Sequence, residues 1–154
     1  VGVGGVHGSW LRGEGGKPYV TGLGQIGIGN VSSPARDGYE DARQFGSDIM
    51  SVRQFRTLGV EAVLDRIPAG KRYYVTIDID GFDPSIAPGT GTPSHGGFLY
   101  YEILELMDGL ARRGDIIGLD LVEVAPDYDP TGSTSTLAAQ LLLNIIGRML
   151  HHAK

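Results

Sequence analysis

The 154-residue sequence contains no cysteine. That excludes a disulfide framework and any thiolate-ligated metal site, and it accords with a reducing compartment. Long apolar runs are also missing. The longest, LAAQLLLNIIGRML, is interrupted by Gln140, Asn144 and Arg148 and falls short of the roughly 20 residues a membrane span needs. Positive charge is in deficit: 13 Lys and Arg face 18 Asp and Glu, a net charge of −5. The balance argues against nucleic acid and anionic membrane as partners. No signal peptide is evident, though a targeting segment could have been lost, and the cytoplasm is the expected compartment. An initiator methionine is missing as well, and the opening VGVGGVHGSW reads as the middle of a longer polypeptide.

What is present describes a globular chain of one domain, 41% hydrophobic and 20% charged, with room for a sizeable core. Glycine is abundant, at 25 residues, which predicts many tight strand-to-helix turns. Short apolar runs at 23–30, 48–52, 72–80 and 115–126 read as strands. Helical patterns separate them: one after Ser33–Pro34, one over 51–67 interrupted by Gly59, and one over 98–114. The last of these puts Leu99, Ile103, Leu106, Met107 and Leu110 on one face and stops at Gly114. A final helix, STSTLAAQLLLNIIGRMLHHA, is apolar nearly all round, as befits burial or a subunit contact. This alternation predicts parallel βαβ units covered on both faces. Ligands in such folds gather at the carboxyl ends of the strands.

Acidic residues crowd at two of those ends. YVTIDIDGFDPSIAPGTGTP carries Asp78, Asp80 and Asp83. Residues two apart on a strand share a face, so Asp78 and Asp80 are expected side by side. Desolvated like charges repel, and a hard divalent cation held by carboxylate oxygens resolves the conflict. Asp83, before Pro84, is equally well read as a turn residue. Glu123 ends the fourth strand, and it either serves the same site or pairs with an arginine of the fold. Asp120 faces the other way and is expected to make structural hydrogen bonds. The histidines are His7, His95, His151 and His152, none in a metal-ligand arrangement such as HxD or HExxH. His95 is expected to line a turn, and the last two to form a solvated helix end. A DxDG strand end also occurs in haloacid-dehalogenase-type phosphatases, but those need a downstream lysine for phosphate. Here the only lysine after Lys71 is the terminal Lys154.

DIDGFDPSIAPGTGTPSHGG strongly resembles the ureohydrolase family of arginases, agmatinases and guanidino-acid hydrolases. The resemblance continues in GLDLVEVAPDYDP and reaches back to HGSWLR and QIGIGN, covering nearly the whole chain. It implies an arginase-like fold, three-layer α/β/α around a mostly parallel sheet. It implies hydrolysis of a guanidino compound to urea and an amine by a metal-bridging hydroxide, with two Mn²⁺ or other divalent ions as cofactors. Carried over residue by residue, Asp78 and Asp80 become metal ligands, Asp80 also serving catalysis. His7 relays a proton or positions substrate, Glu123 pairs with the guanidinium, and Thr92 lies near the substrate.

The family's earlier ligand motifs, of the GGDH and DAHxD types, do not occur here. Residues 1–154 are therefore expected to be the C-terminal portion of one ureohydrolase domain, with the N-terminal half of the same polypeptide as partner. A strand of that other half is expected between the third and first strands, so these four strands should not form one continuous sheet. Agmatine or a guanidino acid is the expected substrate, and a homo-oligomer the expected assembly. The alternative is a non-catalytic half-site chain that serves assembly or interaction.

Overall fold

The β-branched and aromatic run RYYVTID forms a strand because its side chains pack well on a pleated, half-buried surface. In the computed structural model, which describes residue 18 and residues 20–28, 43–44 and 46–152, four strands are present: β1 (Leu23–Ile26), β2 (Ser47–Met50), β3 (Arg72–Asp78) and β4 (Asp115–Val122). They pair in parallel as β1–β2 and β3–β4, two separate two-stranded sheets. That is the α/β organisation expected, and among the described residues the four strands do not form one continuous sheet. In β3–β4, Arg72 faces Asp115 and Asp78 faces Val122, with an irregularity at Tyr73/Tyr74. The register therefore ends both strands at the same height.

Among the described residues, four complete helices accompany the strands: α1 (Val52–Leu58), α2 (Val60–Leu64), α3 (Tyr100–Arg113) and α4 (Ser133–His152). Ser51, expected both to close a strand and to open a helix, caps α1 in a reciprocal pair with Gln54, two orphan donors satisfied at once. The helix expected over 51–67 is split at Gly59, whose φ of 80° lies outside helical geometry. The helix expected after Ser33 falls largely outside the described residues. Each expected strand is also shorter than its apolar run, because turns at Gly27, Ser51, Ile79 and Glu123 redirect the chain.

Ile103, Leu106, Met107 and Leu110 of α3 are buried as their spacing predicts, but Leu99 is 47% exposed and precedes the helix. Its N–H donates to Glu102 Oε2 (2.7 Å), which closes the first turn. Gly114 ends α3 in extended rather than left-handed backbone. Its requirement is steric: a Cβ there would lie 2.3 Å from the Lys71 carbonyl. Helix α3 packs on α2 and α4, and both α3 and α4 touch β4. One core joins Phe55, Leu64, Ile79, Phe82, Phe98, Met107 and Leu141. Helix α4 buries Leu141 and Ile145 but leaves Leu143, Ile146 and Leu150 exposed. Its apolar circumference is thus half used. No described helix is long and apolar enough to cross a membrane.

Candidate active site

Strand β3 ends at Asp78, and the chain turns at once into a single 3-10 turn, Ile79–Gly81. Asp80 therefore lies on that turn and not on the strand, so strand alternation is not what relates the pair. The turn does so instead. Ile79 is fully buried and anchors it, while the Asp80 N–H donates to Asp78 Oδ1 at 3.2 Å. The first carboxylate thus caps the turn that presents the second. Thr92 reaches over from the following loop, its hydroxyl donating to Asp80 Oδ2 at 2.7 Å. Glu123 follows Val122, the register partner of Asp78, and so leaves the neighbouring strand beside the aspartates. Asp78, Asp80 and Thr92 are linked by hydrogen bonds, and Glu123 by strand register. His7 lies outside the described residues.

Asp83 resolves toward its turn reading. Its Oδ1 accepts the Ser85 N–H (3.0 Å) and its Oδ2 the Gly96 N–H (2.9 Å). The Ser85 hydroxyl and amide, then the Gly96 amide, hold its pKa at about 2, and the charge of His95 acts the same way. A carboxyl depressed in the fold stabilises it above the unfolded pKa of about 3.8. That stabilisation disappears as pH falls through about 2. Thermal melts between pH 5 and 2 should show a decline that is shallower, though still present, in Asp83→Asn, because Asp129 is also held at about 2.

Asp120 makes the structural bonds expected of it: Tyr74 Oη donates to Oδ2 (2.7 Å) and Thr76 Oγ1 to Oδ1 (2.5 Å). The bond to Asp120 also raises the Tyr74 pKa. His152 lies 3.4 Å from Asp108 in the last turn of α4. That contact belongs to the α3–α4 packing, not to the strand tips.

Glu123 alone among the described non-glycine residues has a positive φ, 63°. Such a conformation costs about 1–3 kcal/mol and persists only where its surroundings impose it, characteristically at functional sites. The position turns the chain sharply out of β4, so that Ala125 N–H can donate to the Gly89 carbonyl (2.8 Å). Glycine relieves such strain and alanine does not. Glu123→Gly should be about 1 kcal/mol more stable than Glu123→Ala in denaturant titration, despite glycine's larger entropy loss. Both substitutions remove the same carboxylate.

The sequence motif GLDLVEVAPDYDP includes Asp129, but its residue types assign that aspartate no role. Asp129 is 5% exposed. Its Oδ1 accepts from Thr131 N (3.1 Å) and Oγ1 (2.5 Å), and its Oδ2 from Thr134 N (2.7 Å) and Oγ1 (2.8 Å). The Thr131 hydroxyl, followed by both donors of Thr134, holds its pKa at about 2. The available signal was an aspartate followed by threonines at the mouth of a long helix, in DYDPTGST.

Asp78 and Asp80 offer the hard oxygen donors that suit Mg²⁺, Ca²⁺ or Mn²⁺. Their donor chemistry fits such an ion, yet two carboxylates are an incomplete set. Among the described residues, no group of three or more His, Asp or Glu could hold a metal.

The sequence model of the Arginase family matches residues 2–147. A guanidinopropionase from Pseudomonas aeruginosa is 40% identical over 126 residues, which are 79% of this chain and 39% of that protein. An agmatinase from Halalkalibacterium halodurans is 40% identical over 125 residues, covering 79% and 43% respectively. The crystal structure of an agmatine ureohydrolase from Thermoplasma volcanium superposes with a TM-score of 0.71 at 31% identity, over 82% of this chain and 42% of that one. The chain thus spans about two fifths of the length of the curated relatives it matches. With the match running almost from end to end, and the fold shared with a solved member, this chain belongs to the arginase family, with an arginase-like α/β fold.

Proposed function

We propose that this chain forms the C-terminal part of a hydrolase that cleaves a guanidino compound to urea and an amine. The observation that carries the reading is the meeting at one strand tip of Asp78, Asp80 and Thr92, with Glu123 leaving the adjacent strand in a strained conformation. Relatives named guanidinopropionase and agmatinase support the substrate class. A guanidino acid or agmatine is the substrate we favour.

Asp78 and Asp80 would hold a pair of divalent ions, Mn²⁺ by family analogy, with the N-terminal half of the same polypeptide completing the ligand set. When bound, such ions make a nucleophilic water available near neutral pH. The chain's own residues supply the rest. Glu123 accepts two parallel hydrogen bonds from the planar guanidinium and fixes its central carbon. Thr92 donates to Asp80 and holds that carboxylate in one orientation. His7 delivers a proton to the departing amine as the C–N bond breaks. Water is added across that bond, and urea and the amine leave. We place the protein in the cytoplasm, as a homo-oligomer.

The complete polypeptide, supplied with Mn²⁺, should release urea from at least one of agmatine, guanidinopropionate, guanidinobutyrate and arginine. A second reading, a non-catalytic half-site chain, draws support from the incomplete ligand set among the described residues. Bound manganese decides between them. About two ions per full-length chain are expected of a binuclear hydrolase. None after reconstitution, with no urea from any substrate, would leave the half-site reading standing.

A further inference from the structure

Gly89 opens the loop that carries Thr92, and both of its backbone polar groups are committed. Its N–H donates to Thr134 Oγ1 (2.8 Å), and its carbonyl accepts from Ala125 N–H (2.8 Å). The first contact reaches the start of α4. The second reaches the segment two residues beyond Glu123. A Cβ at Gly89 would stand 2.8 Å from the Asp129 Cβ and 2.9 Å from Thr134 Oγ1, so the backbone passes as close as the polypeptide allows.

Asp129 decides whether this junction holds. A hydroxyl has one hydrogen to give, and that of Thr134 goes to Asp129 Oδ2. Its lone pairs are then turned toward the Gly89 N–H. Asp129 receives four donors at once, two on each oxygen. Only an ionised carboxylate has acceptor sites for all four; an amide of the same shape must turn its NH₂ against one pair. Because the carboxylate is buried, the misfit cannot be handed to solvent.

We infer that Asp129, acting through the Thr134 hydroxyl, is a positioning residue that fixes the Gly89–Pro93 loop between Glu123 and Asp80. It touches neither substrate nor metal. It sets the register of Thr92, three residues along the loop from Gly89 and the donor that orients Asp80, and of Glu123, two residues before Ala125, which takes the guanidinium. This role rests on the hydrolase reading given above, whereas the clamp itself does not.

The full-length enzyme is compared with Asp129→Asn, Thr134→Val and Thr134→Ser. Two properties are read: amide exchange at Gly89 and Ala125, and kcat and KM for urea release. Asp129→Asn and Thr134→Val should speed exchange at both amides at least tenfold while the α3 core amides keep their protection. kcat should fall at least tenfold in both variants. Thr134→Ser keeps the hydroxyl and should restore both to within threefold of wild type. Should Asp129→Asn fail to fold, the Val and Ser pair at position 134 decides. Looser amides with unchanged kinetics would overturn the positioning role, as would lost kcat with unchanged exchange. A wild-type protein that releases no urea while Asp129→Asn still loosens Gly89 would sink the hydrolase reading and leave the clamp intact.

Discussion

Asp80→Asn in the complete polypeptide should lower urea release by at least about a thousandfold, equivalent to about 4 kcal/mol of lost transition-state stabilisation. The substitution separates charge from shape. The amide oxygen of asparagine can still accept the Thr92 hydroxyl that Asp80 Oδ2 receives at 2.7 Å. What it lacks is the negative charge that a hard dication demands of its oxygen ligands. Folding should hardly notice, because Asp80 is only half-buried on a turn anchored by Ile79. We expect the melting temperature to move by no more than a few degrees and bound manganese to fall by about one ion or more. Asp78→Asn should behave alike, since its amide oxygen can still cap the turn through the Asp80 N–H. Steady-state urea assays and metal analysis of the same preparations check both. Activity within tenfold of wild type, at full metal content, would remove these carboxylates from the mechanism.

How far the sequence led can be followed through these same residues. Asp78 and Asp80 were legible because two carboxylates closing an apolar run need a stated reason. The geometric reason offered, alternation along a strand, does not apply, since β3 stops at Asp78. A 3-10 turn links the two residues through a bond from the Asp80 N–H to the Asp78 carboxylate, and nothing in the residue types distinguishes three extended residues from three that turn. Strand ends fail in the same way at Ser51 and Glu123. Apolar content says how far a segment is buried, whereas a capping bond or a strained φ says where it stops. Ser51 could have been found, because Ser-x-x-Gln is a recognisable helix start. The positive φ of Glu123 could not, because glutamate carries no preference for it.

The Asp129 clamp lay beyond sequence reasoning for a different cause. Its partners Gly89 and Thr134 are 45 residues apart, and non-local pairings leave no periodicity. Leu99 was misread for the converse reason: it fits the apolar face of α3 in spacing but precedes the helix in the fold. Fold class survived all of these local errors. Parallel βαβ alternation depends on the order of elements and not on their boundaries.

Gly97→Ala should be among the most damaging small substitutions in the described residues, destabilising the protein by about 3 kcal/mol. An added Cβ would lie 2.4 Å from the Phe82 carbonyl carbon, 2.5 Å from Asp83 N and 2.6 Å from Phe82 O. All three are backbone atoms and cannot rotate aside. They are also tied to the residue that follows Gly97: Phe98 N–H donates to Gly81 O (2.8 Å) and Asp83 N–H to Phe98 O (3.0 Å). Phe82 and Phe98 are themselves buried in the core. Arg56 Nη2 fixes the Gly97 carbonyl at 2.9 Å. Relief therefore requires the backbone at 81–83 to move, and with it the turn that presents Asp80. Two other glycines serve as controls. Gly118→Ala meets the Tyr74 ring at 2.5 Å, but that ring is 62% exposed and can swing away, losing its bond to Asp120 for about 1 kcal/mol. Gly24→Ala meets nothing and carries no positive φ, so it should cost less than about 1 kcal/mol. Denaturant midpoints should therefore rank Gly97→Ala well below the other two. Equal losses at all three positions would mean that the 81–83 backbone yields freely, and Asp80 would then have no rigid support.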